Sequence, residues 1–190
     1  LRLVQIAGIT FPSLSQTGII ENVVAIGDDA PGVSTTPILY MRRQQEMQMI
    51  GVKVFGISTA LFATCERVPI ALEDCRGITG LGCSSASTNS VGLDIYSVNA
   101  SVDGNVFLGH TFELCDAGAW LIDGDSRNTG AFTTSNIEII APRYQFPQTI
   151  AGQIRGAEQC QVDVTTKASS TTDGATNNVL TGYNVANYTD

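Results

Sequence analysis

Isoleucine and valine together far outnumber leucine, and threonine is abundant throughout the chain. Branching at Cβ stiffens χ1 and suits a pleated surface better than a helix. This bias, more than any motif, constrains the fold, and it predicts a mainly β protein.

Charge sharpens the picture. Asp, Glu, Lys and Arg supply 15% of the 190 residues, against roughly 25% in an average soluble domain. The hydrophobic share is ordinary at 43%, so Ser, Thr, Asn, Gln and Gly take the place of the missing charges. Hydroxyls and amides are much cheaper to desolvate than charges, so such a surface suits being covered by neighbours. The net charge is −8, the only lysines are Lys53 and Lys167, and the only basic cluster is Arg42-Arg43. Nucleic-acid binding needs a positive footprint for phosphates, so no nucleic-acid partner is expected. No leader pattern stands at Leu1. The longest apolar run, 49–65, is interrupted by Lys53 and is short for a span of about 20 residues. No membrane insertion is expected.

Periodicity gives an outline of strands. Residues 1–11 read as a strand with apolar side chains on both parities: Leu1, Leu3, Ile9 and Phe11 on one, Val4 and Ile6 on the other. Residues 19–26 form a second strand. Thr36-Pro37 can open a helix, and 38–49 is the best helix candidate, with a long strand as the alternative because Ile50, Val52 and Val54 extend a period-2 pattern. Residues 51–62 read as strand. Residues 64–89 read as a long loop with one short helix near 70–75. The strongest hairpin signal joins 92–98 to 105–114 through Asp103-Gly104; within it Val106, Leu108, His110, Phe112 and Leu114 fall on one parity. Further strands are expected at 119–122, at 137–140 and at 160–164, where Cys160, Val162 and Val164 alternate with Gln161 and Asp163. No internal repeat is evident. The expected architecture is a mainly β, antiparallel sandwich or jelly-roll-like domain over 1–166, with long loops and at most one or two short helices. Residues 167–190 read as a Ser/Thr/Asn-rich linker with a possible last strand or assembly arm.

The candidate sites are few. The five cysteines, Cys65, Cys75, Cys83, Cys115 and Cys160, form no CxxC pair. They read as a disulfide framework of two bridges with one thiol left over in an oxidising compartment, or as small buried hydrophobes in a reducing one. The closeness of Cys65, Cys75 and Cys83 in a loop-like region favours bridges. Asp123, Asp125 and Asn128 cluster oxygen ligands in a turn and are a calcium candidate; an Asx-rich turn accounts for the same residues. No other cofactor is indicated. His110 is the lone histidine, and spacing gives it neither a nucleophile nor an orienting carboxylate. Residues 80–85 look like a dinucleotide loop only superficially, since the third glycine is missing. Asn99-Ala100-Ser101 and Asn187-Tyr188-Thr189 are sequons, so Asn99 and Asn187 are glycosylation candidates. Trp120 and the tyrosines offer a sugar-stacking platform, although aromatic residues are more often core.

Two functional classes fit. The first is a non-enzymatic structural subunit that assembles with copies of itself into an extracellular filament, sheath or pilus, or into a virion. Residues 1–11 are its candidate assembly strand. The alternative is a secreted carbohydrate- or calcium-binding β-sandwich module. An enzyme with a dispersed site ranks third, because paired carboxylates can meet in space without meeting in sequence.

Overall fold

The computed structural model describes residues 17–27, 36–58, 63–64, 66–130, 132–145, 152–163, 170–172 and 179–181. Among them there is no helix, and almost every strand runs parallel to its neighbours. The first sheet collects β1 (Gly18–Glu21), β4 (Met47–Ile50), β8 (Thr79–Leu81), β12 (Val106–Leu108), β16 (Glu138–Ile140), β19 (Gln161–Asp163) and β21 (Val179–Thr181). The second holds β2 (Val24–Gly27), β5 (Lys53–Ser58), β9 (Ser84–Thr88), β13 (Thr111–Cys115) and β17 (Arg143–Gln145). The third holds β3 (Leu39–Arg42), β7 (Ile70–Glu73), β10 (Val91–Tyr96), β14 (Gly118–Asp123), β18 (Gly152–Arg155) and β20 (Ser170–Thr172). Two short strands, β11 (Val102–Asp103) and β15 (Thr134–Ser135), pair in parallel, and β6 (Ala63–Thr64) pairs antiparallel with β5. The chain visits the three sheets in the same order on each pass and returns one rung further along. The fold is a β-solenoid.

This overturns the expected antiparallel sandwich. Period-2 alternation places side chains on two faces whichever way the neighbouring strand runs, so it cannot tell the two architectures apart. The hairpin is absent for the same reason. β10 pairs with β7 and β14, and β12 pairs with β8 and β16, all in parallel. Asp103-Gly104 is a corner between strands of the solenoid rather than a hairpin turn. The helix expected over 38–49 is two strands of different sheets, β3 and β4, separated by a corner at which Arg43 and Glu46 take φ of 53° and 52°. The short helix near 70–75 is β7, and the long loop over 64–89 contains β7, β8 and β9. In the expected linker, Ser170–Thr172 and Val179–Thr181 are strands. The candidate assembly strand at residues 1–11 lies outside the described residues.

Corners explain how a parallel coil closes in so few residues. Leaving the first sheet, the chain turns at Asn22, Gly51, Gly82, Gly109 and Ala141, all with positive φ. Entering it, the chain turns at Glu46, Gly77, Gly104, Asn136 and Gln159, again all with positive φ. A left-handed residue reverses the side-chain parity across the corner. That is why Phe107 and Phe112 point inward while Leu108, between them and before Gly109, is 46% exposed. The single face expected for Val106, Leu108, His110, Phe112 and Leu114 is therefore split: His110 and Phe112 are buried, and Leu108 and Leu114 are exposed. The ladder runs unbroken through the corners, with Gly51 N, Gly82 N and Gly109 N donating to Leu81 O, Leu108 O and Ile140 O.

The core is built of columns. Met41, Leu72, Ile95, Ile122 and Ile154 stack in register, as do Leu39, Ile70, Leu93 and Trp120. The latter column ends at Gly152, where a Cβ would lie 2.1 Å from the Trp120 ring. The indole fills the space that a side chain would take.

Cys75, Cys83, Cys115 and Cys160 are buried in this core. No disulfide is present among the described residues, which corrects the expected framework; Cys65 lies outside them. Sequence proximity misled because each cysteine occupies an inward position. Cys75 Sγ donates to Met41 O at 3.4 Å and to Glu73 O at 3.3 Å, and Cys83 Sγ donates to Met49 O at 3.3 Å. Burial pushes the Cys75, Cys115 and Cys160 thiols up to about 12. They behave as small hydrophobes.

Candidate functional site

The outer face of the third sheet gathers most of the described charge that is buried. β7, β10 and β14 are buried along almost their whole length on both faces. In such a strand an outward acid must be partnered or neutral. Register brings Glu73, Tyr96 and Asp123 into one column, with Arg42 and Arg155 at its ends. Adjacent rungs are separated by about 4.8 Å, so these side chains are direct neighbours. Asp94 stands two residues before Tyr96 on the same face.

Each acid is already engaged. Glu73 Oε2 accepts hydrogen bonds from the Tyr40 hydroxyl and, at 3.2 Å, from the Tyr96 hydroxyl. Glu73 Oε1 lies 2.7 Å from Arg42 Nε, an ion-pair distance at an angle too poor for a hydrogen bond. Asp94 takes a two-pronged contact from Arg127, at 2.7 and 3.0 Å. The Arg127 guanidinium also sits 4.0 Å over the Tyr96 ring and 3.5 Å from Asp123 Oδ2. Planar, two-pronged geometry of this kind suits Arg and not Lys.

These environments push the two aspartates apart. Burial holds the Asp94 carboxyl above the usual carboxylate range, and Arg127 only partly offsets it. Burial would raise Asp123 as well, but bonds from the Ser126 hydroxyl and the Ser126 and Asp125 amides, with the Arg127 charge, outweigh it and hold Asp123 below that range. Burial pushes the Tyr96 hydroxyl up to about 12, helped by the Glu73 charge, and pushes Tyr40 up further, helped by its bond to Glu73. Paired carboxylates therefore do meet in space. They meet as a closed, charge-compensated network in which every acid has a protein partner.

The calcium candidate falls at the edge of this network. Asp123 Oδ1 accepts from Asp125 N at 3.0 Å and Ser126 N at 2.9 Å, and its Oδ2 accepts from the Ser126 hydroxyl. Asn128 Nδ2 donates to Gly124 O at 3.1 Å and to Phe132 O, and Asn128 Oδ1 accepts from Gly130 N at 3.0 Å. The loop is an Asx-type turn whose oxygens serve its own backbone. Among the described residues no three ligating side chains gather as a metal site.

The other candidates are dispersed. Asn99 is exposed on a turn whose amides at 98, 99 and 100 all donate to the Asp74 carboxylate, and its Oδ1 accepts from the Thr129 hydroxyl at 3.2 Å. Asn187 lies outside the described residues. Trp120 is fully buried and its Nε1 donates to the Tyr144 hydroxyl at 3.3 Å, so it offers no platform to a sugar. Residues 80–85 are β8, a corner at Gly82 and the start of β9. His110 does find a hydroxyl, Ser85 Oγ, 3.0 Å from its Nε2, but both side chains are fully buried.

Sequence reasoning missed Glu73, Asp94, Tyr40 and Arg127. Its one available signal was an acid set in an apolar run, as in Leu93-Asp94-Ile95 and Leu72-Glu73, since a strand buried on both faces must carry its acids in compensated pairs. By its fold the protein is a β-solenoid. It matches no protein-family model, no curated protein and no solved structure.

Proposed function

We propose that the chain is a non-enzymatic structural subunit that assembles with copies of itself, in an extracellular filament, sheath or pilus, or in a virion. One observation carries the reading. On the outer face of the first sheet Ile50, Leu81, Leu108 and Ile140 stand in register on successive rungs, forming an apolar column with Leu81 36% and Leu108 46% exposed. Ile19, on β1 of the same sheet, is 65% exposed. Single exposed apolar residues are ordinary, whereas a contiguous row marks a surface to be covered. The sparse charge of the whole chain lowers the cost of covering it. The closed network on the third sheet supports the non-enzymatic part, because a carboxylate fully engaged by protein partners has little capacity left for a substrate.

Sedimentation velocity over a wide concentration range tests this. Wild type is expected to associate, and Leu81→Asp with Leu108→Asp is expected to remain monomeric with an unchanged β-sheet circular-dichroism spectrum. A wild-type protein that stays a monodisperse monomer at high concentration overturns the proposal.

A further inference from the structure

The corner between β12 and β13 holds a residue that packing does not call for. Successive rungs place Val52, Cys83, His110 and Pro142 at the same inward position just after the left-handed corner, and all four are buried. Three members of this column are apolar or nearly so. The fourth is the only imidazole in the chain. Its ring stacks on Phe112 at 4.4 Å between centroids and meets the edge of Phe107 at 5.7 Å. Among the described residues, Ser85 Oγ at 3.0 Å is its one polar side-chain contact, and its Nδ1 is buried without a hydrogen-bond partner.

We propose that His110 is an acid-operated release: protonation of its imidazole opens the solenoid where β12 passes into β13. A neutral imidazole fits the site, with one nitrogen bonded to Ser85 and the other bare. An imidazolium must place two N–H donors and a full charge in the same volume. Only the Phe112 face favours that charge, and a cation–π contact is worth far less than the hydration lost.

Among the described residues no counter-charge faces it. The titratable side chains on the surrounding elements are Cys83 beside β9, Cys115 of β13 and Tyr144 of β17. Burial pushes all three up, so they stay neutral in acid. The charged residues of those elements, Glu113 and Arg143, alternate to the outer face, as does Lys53 of β5. Burial alone lowers His110 to about 3.

The sign follows from linkage. Above the ordinary histidine value of about 6.5 the group has no effect. Below it the open chain binds a proton that the closed core refuses. The open-to-closed ratio then rises about tenfold per pH unit until the native value is reached. Opening at this corner uncouples β13 from β9 and β17, and so separates the rungs on either side.

The lone histidine makes the test direct. The imidazole C2 proton is followed by NMR from pH 7.5 to 3, together with amide exchange at Thr111 and Phe112. The expected result is a resonance that stays neutral in the native state, with the protection factors of these amides, corrected for the pH dependence of intrinsic exchange, falling as pH drops below 6. The acid-opening curve of His110→Gln, which keeps a partner for Ser85, is expected to be shallower by one proton per chain, isolating His110 from the carboxylates. The proposal is overturned if His110 titrates near 6.5 with protection retained, or if a folded His110→Gln opens along the wild-type curve. Should His110→Gln fail to fold, the wild-type resonance and exchange data decide alone.

Discussion

Asn105 sits fully buried in a column otherwise made of Met47, Ile78, Ile137 and Cys160. Its side-chain oxygen accepts from Ile78 N at 2.9 Å and its amide donates to Cys75 O at 3.2 Å. One side chain thus satisfies two backbone groups of the rung before it, at the corner that Gly77 turns. Asn105→Ala leaves both groups buried and unpaired. Each such loss costs about 1–3 kcal/mol, so the expected destabilisation is about 2–6 kcal/mol, a large part of the roughly 5–15 kcal/mol that holds a domain folded. With a urea m-value of about 1–3 kcal/mol/M, the unfolding midpoint falls by at least about 0.7 M. A solenoid is held by nearest-neighbour contacts and can melt in parts, so amide exchange at Ile78 is measured alongside. Asn105→Leu separates hydrogen bonding from packing, because it restores the volume but neither bond. It is expected to be nearly as damaging as alanine. An Asn105→Leu protein within about 0.5 kcal/mol of wild type, with Ile78 still protected, refutes the reasoning; that size of effect is typical of surface substitutions.

Further outcomes follow from the same geometry. Gly152→Ala drives a methyl into the Trp120 ring and is expected to cost about 1–3 kcal/mol, with a red shift of tryptophan emission as the indole is displaced. Arg127→Ala strands the Asp94 carboxylate; because the Arg127 side chain is 33% exposed, the loss is discounted to about 1–3 kcal/mol. Asp94 lies above its ordinary range when folded, and losing Arg127 raises it further. The Arg127→Ala deficit in thermal stability is therefore largest at neutral pH and shrinks as acid neutralises the group. Alkylation mapped by mass spectrometry is expected to leave Cys75, Cys83, Cys115 and Cys160 unmodified in the native protein and to modify all four in urea.

Much of the local structure is legible in the residues. Alternation at Gln161, Val162 and Asp163 places Val162 inside and Gln161 outside, as β19 shows. The strands expected over 92–98 and 119–122 are β10 and β14. The repeat is not legible, for a physical reason. An inward position asks only for a side chain that fills the core, so Met49, Phe107, Ile139 and Val162 share one column with no identity in common. Corner positions ask only for a tolerable left-handed residue, so Asn22, Gly51 and Ala141 are equivalent. Loops between rungs differ in length, which removes the fixed period that would betray a coil.

By itself, then, the sequence determined that the chain is made of strands and that its surface is sparsely charged. Those properties are local, set by χ1 stiffness and by the cost of burying charge. Only the tertiary structure decided that the strands run parallel, that Glu73, Asp94 and Asp123 close into one network, and that Leu81 and Leu108 share an exposed column. Each of those depends on which distant rung lies alongside, and a strand carries the same alternation whichever neighbour it meets.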